Sequence, residues 1–72
     1  MTINEMKEIF CGKVSEMRLR KNMSIEELSK RSGVALEMLE ALEQGEIPEE
    51  MMVEDAFDLA KVFGCKPYEL FQ

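Results

Sequence analysis

Gly33, Gly45 and Gly64 each close a stretch in which apolar residues recur every three or four positions. That punctuation confines a chain of 72 residues to a few short helices. Ile3, Met6, Phe10, Val14 and Met17 step along one face of a helix expected from about residue 3 to Lys21, and no alternating β pattern competes with it. Ser24 then stands three residues before Glu27, the arrangement of a capping box, which predicts a second helix from Ile25 to about Arg31 with Leu28 as its buried anchor. Ser32 and Gly33 make a tight turn, since glycine tolerates the left-handed backbone such a turn demands.

A third helix is expected over Leu36–Gln44. Ala35, Met38, Leu39 and Leu42 gather on its core face, Glu37, Glu40 and Gln44 lie opposite, and Leu36 and Ala41 occupy the shoulders. Beyond a loop containing Glu46, Glu49 and Glu50, the residues Val53, Ala56, Phe57, Ala60 and Phe63 repeat the stripe as a fourth helix. Pro67 opens a short fifth, with Leu70 and Phe71 folding back on the core. The expectation is a single all-α domain of five helices over residues 1–72.

Composition removes whole classes of function. With 46% apolar and 33% charged residues the chain is globular, and its longest apolar runs, Val34–Leu36 and Met51–Val53, are far too short to span a bilayer. The opening MTINEMKEIF lacks a basic stretch followed by an apolar run, so a cytoplasmic location is expected. Cys11 and Cys65 are too few for a disulfide framework, and the absence of histidine removes the commonest metal ligand and general base. Neither a metal, a cofactor nor an enzymatic activity is expected.

Charge divides the chain. Residues 1–31 carry Lys7, Lys13, Arg18, Arg20, Lys21, Lys30 and Arg31 against five acids, a net of +2, whereas residues 32–72 hold only Lys61 and Lys66 against ten acids, a net of -8. A polyanion is repelled by the second half.

Arg18, Asn22-Met23-Ser24, Leu28, Gly33-Val34, Leu39, Leu42-Glu43 and Gly45, at their spacing, resemble the motif of the phage-repressor and Cro family of helix-turn-helix regulators, the lambda-repressor-like fold. Leu59-Ala60, Phe63-Gly64 and Leu70-Phe71 are similar to its last two helices. The likeness covers about residues 9–71, with the motif at about 24–45. The fourth helix stands about two residues late, implying a longer preceding loop, and residues 1–8 extend the first helix. There Ile3, Met6 and Ile9 pack either on Leu70 and Phe71 or on a second subunit.

The resemblance implies a small, dimeric DNA-binding transcriptional regulator with its third helix in the major groove. It places Ala35, Leu36, Glu37 and Ala41 toward bases and Lys21, Ser24, Ile25, Lys30, Arg31 and Gln44 near phosphates. It also implies a structural ion pair between Arg18 and Glu43, and Glu43 does flank the buried stripe. Yet the base-facing set is chemically sparse. Glu37 can accept from a cytosine amino group and Leu36 or Ala35 can touch a thymine methyl, but no Arg, Asn or Gln stands ready for guanine or adenine. An alternative stays open: an acidic scaffold that has lost DNA readout and binds itself or another protein through Leu36, Ala41, Met51 and Met52.

Overall fold

The computed structural model describes residues 2–72. Four α-helices follow one another, α1 (Ile3–Arg20), α2 (Ile25–Ser32), α3 (Leu36–Glu43) and α4 (Val53–Phe63), and a 3-10 turn over Pro67–Phe71 ends the fold. No strand occurs among the described residues. The expected fifth helix is thus corrected to a 3-10 turn. The segment is five residues long, Pro67 included, a length that suits a short 3-10 turn.

Local chemistry sets the helix boundaries. Thr2 Oγ1 accepts the Glu5 N–H and Glu5 Oε1 accepts the Thr2 N–H, both at 3.1 Å, a reciprocal box at the start of α1. Those bonds hold the Glu5 carboxyl below its ordinary pKa. The box expected at α2 is only half made. Ser24 Oγ accepts the Glu27 N–H at 3.0 Å, while the Glu27 carboxylate turns forward to Arg31 at 2.8 Å. Helices α1, α3 and α4 share one ending, in which the two residues past the helix donate N–H groups back to carbonyls of its last turn. In α1 the left-handed position is taken by Asn22 (φ 54°), and the next residue, Met23, is driven into the core.

The turn between α2 and α3 is pinned by two serines. Ser29 Oγ donates to the Val34 carbonyl at 2.7 Å, and Ser32 Oγ donates to the Leu28 carbonyl while accepting the Val34 N–H. Gly33, at φ 80°, makes the reversal that these bonds require. Val34 consequently drops into the same core as Leu28 and Leu39, all three almost wholly buried.

Around this turn α2 packs on α3 and α4, and α1 packs on α3, α4 and the 3-10 turn. Phe10 stacks on Phe71 with ring centroids 4.9 Å apart, and Leu70 is fully enclosed, so the chain's end folds back as expected. Several expected core positions prove to be surface. Ala35 is the exposed N-cap of α3, and Ile3 and Met6 are exposed and stand outside the core that includes Leu70 and Phe71. In α4 the buried stripe is Ala56, Leu59, Ala60 and Phe63, while Val53 and Phe57 face outward. Apolar residues surround much of α4, so periodicity alone left its rotation undetermined.

The rotation of α4 is testable by paired truncations. Leu59→Ala is expected to lower unfolding free energy by about 2–5 kcal/mol in urea titrations, whereas Phe57→Ala changes it by less than about 0.5 kcal/mol. Equal losses would mean that α4 is turned differently.

Candidate nucleic-acid interface

The relation between α2 and α3 rests on a polar network beneath them. Arg18 Nε donates to Glu43 Oε1 at 2.7 Å, and Arg18 Nη1 donates to the Met23 carbonyl at 2.7 Å. Ser15 Oγ donates to the other carboxylate oxygen of Glu43 at 2.9 Å. One guanidinium and one carboxylate therefore tie α1, the α1–α2 turn and the last turn of α3. Their side chains are 15% and 22% exposed, shielded enough from water for charge-assisted bonds to hold their strength. The pair was expected from the resemblance; Ser15 and the Met23 carbonyl were not. Ser15 stands one turn before Arg18 in α1, and Met23 follows the left-handed Asn22.

Above this network α3 presents an open face. Ala35, Glu37, Glu40 and Gln44 are exposed, and Leu36 and Ala41 are half-buried on its shoulders. No side chain caps the first turn of α3. Across the motif Ser24 is exposed at the start of α2, whereas Ile25 is half-buried and packs against the core. Lys21 and Lys30 are exposed and make no ion pair among the described residues. Arg31 is exposed but engaged by Glu27, and Arg20 by Glu16 at 3.0 Å.

The loop after α3 brings the opposite sign. Glu46 reaches back to Lys7 at 3.2 Å, and Glu49 and Glu50 stand exposed. A carboxylate about 4 Å from a phosphate costs about 1 kcal/mol in bulk water and more where water is partly excluded. Of the residues expected in the alternative apolar patch, Leu36 and Ala41 are half-buried. Met51 is half-buried and packs against the core, whereas Met52 is exposed beside Val53 and Phe57.

A helix-turn-helix family model matches residues 14–70, which include all four helices in whole or part and most of the 3-10 turn. The chain belongs to this family, the helix-turn-helix regulators of phage-repressor and Cro type. No curated protein and no solved structure matches it. The match begins at Val14, within α1, so the first turns of that helix precede the family's shared segment.

This helix-turn-helix domain carries two free thiols, and burial pushes both Cys11 and Cys65 above the ordinary thiol pKa. Cys11 lies in the core and Cys65 is half-buried. No group of three or more potential metal ligands occurs among the described residues. No helix among them is long and apolar enough to cross a membrane.

Two measurements follow from these positions. Glu43→Gln is expected to reduce stability by about 2 kcal/mol in urea unfolding, the scale of losing hydrogen bonds to a charged group; an unchanged midpoint would show that the bridge is idle. At neutral pH an aromatic disulfide reagent is expected to label Cys65 before Cys11, with Cys11 reacting only as the domain opens. Equal rates would contradict the burial of Cys11.

Proposed function

We propose that the domain is a DNA-binding transcriptional regulator that lays α3 in the major groove. The observation that carries this reading is the uncovered outer face of α3, held at a fixed angle to α2 by the Arg18–Glu43 network and the serine-pinned turn. In this pose Glu37 accepts from a cytosine amino group, and Ala35, Leu36 and Ala41 offer methyl-sized contacts to thymine. Lys21, Lys30, Arg31, Ser24 and Gln44 lie toward the phosphates. Ile25, packed inward, contributes only its backbone at the N-terminus of α2, where N–H groups favour an anion. A second copy on a symmetric operator doubles these contacts, the usual use of the motif. The setting of such a regulator is the cytoplasm, beside DNA.

Charge makes this a weak reader in isolation. Nonspecific attraction supplies about 5–8 kcal/mol in a typical DNA-binding protein. Here two unpaired lysines work against Glu37, Glu40, Glu49 and Glu50. A second reading, an acidic interaction module on the same scaffold, is favoured by the outward-facing Met52, Val53 and Phe57.

Fluorescence anisotropy with duplex DNA, started at about 20 mM salt where screening is least, tests the first reading. Binding is expected, and Lys21→Ala combined with Lys30→Ala is expected to weaken it and reduce the slope of log affinity against log salt by about two. An unchanged slope would rule out this docking, and no binding at low salt would end the DNA reading for the domain alone.

A further inference from the structure

We propose that the start of α4 is a docking surface for a cationic amphipathic helix of a partner protein. Met52, Val53 and Phe57 are 64%, 70% and 50% exposed. Val53 and Phe57 stand one turn apart on the same face, and Met52 is the N-cap directly before them. Contiguous apolar side chains left in water mark contact sites more often than chance exposure does. The fold does not need them, because Ala56, Leu59, Ala60 and Phe63 already complete the buried stripe of α4.

The surface is held in place before any partner arrives. Asp55 Oδ2 accepts the Met52 N–H at 2.8 Å, the Met51 N–H donates to the Pro48 carbonyl at 3.1 Å, and the Met51 side chain anchors the loop on the core. A backbone fixed in this way loses little freedom on association, and the unbranched Met52 side chain adapts to whatever shape covers it.

Charge selects the occupant. Residues 46–58 contain six acids and no base; Glu46 is engaged by Lys7 and Asp55 by the Met52 N–H, which leaves Glu49, Glu50, Glu54 and Asp58 to set the local charge. Lys61, one turn beyond Phe57, is the sole base of α4. A second copy related by a two-fold axis would set this acidic rim against itself, since such an interface joins identical patches. Nucleic acid is repelled by the same carboxylates and has nothing to place on Val53 and Phe57. A helix with apolar residues at three- and four-residue spacing and Lys or Arg on its flanks satisfies both halves of the surface. The inference stands apart from the DNA reading, which uses α3 and the ends of α1 and α2.

The test titrates the full chain with a synthetic helical peptide bearing leucines at three- and four-residue spacing and lysines elsewhere. A scrambled peptide of the same composition serves as the control. Calorimetry is expected to show the ordered peptide binding at least about tenfold more tightly than the scrambled one. Val53→Ser with Phe57→Ser removes that preference, and Glu49→Gln, Glu50→Gln and Glu54→Gln together weaken binding and reduce its salt sensitivity. Both serine replacements fall on exposed positions, so circular dichroism is expected to show an unchanged fold, and duplex DNA binding is expected to match that of the parent. Equal binding of the two peptides, or an undiminished preference in the serine variant, would overturn the proposal by showing adhesion through charge alone. Sedimentation equilibrium supplies the other refutation: self-association that the serine variant abolishes would make the surface an interface between copies.

Discussion

The bidentate use of Arg18 is the interaction on which the arrangement depends. Its Nε holds Glu43 at the end of α3 and its Nη1 holds the carbonyl of Met23, so one side chain sets the distance between the α1–α2 turn and the last turn of α3. A lysine, with a single ammonium point, lacks the planar fork that reaches both acceptors. Ser15 occupies the remaining carboxylate oxygen, leaving neither charge without partners at a site only partly open to water. Apolar contacts alone would allow short helices of eight residues to slide. The directional bonds beneath them, with those of Ser29 and Ser32 at the turn, give α3 one orientation.

That rigid presentation is independent of what α3 presents. The same scaffold displays glutamate, leucine and alanine where a strong DNA reader needs donors, and its following loop is acidic. Conversely, the apolar surface at the start of α4 lies outside the motif and is fixed by loop and cap geometry. Two surfaces of different chemistry thus share one core. Lys21 and Lys30, at the ends of α1 and α2, are exposed and cationic, whereas Met52, Val53 and Phe57 are exposed and apolar.

Much of this was legible before folding. Gly33, Gly45 and Gly64 mark helix ends because they can take left-handed backbone, Leu28 and Leu70 are buried where their spacing put them, and the Arg18–Glu43 pair follows from the family pattern. The capping residue Ser24 is also where expected. Other features were hidden for identifiable reasons. Glu27 has two available partners, the N-cap backbone and Arg31, and only the folded helix shows that it takes the second. Met23 reads as a loop residue until Asn22 is known to be left-handed.

The sequence by itself determined an all-helical fold, the sites of its turns and the uneven distribution of charge, because periodicity, capping and net charge are properties of neighbouring residues. Tertiary structure alone decided the rotation of α4, the partial burial of Met51 next to an exposed Met52, and the pairing of Lys7 with Glu46. Those outcomes depend on how each helix turns against the others. Val53 and Phe57 are as apolar as Leu59 and Phe63, and packing against α1, α2 and the 3-10 turn selects which pair goes inward.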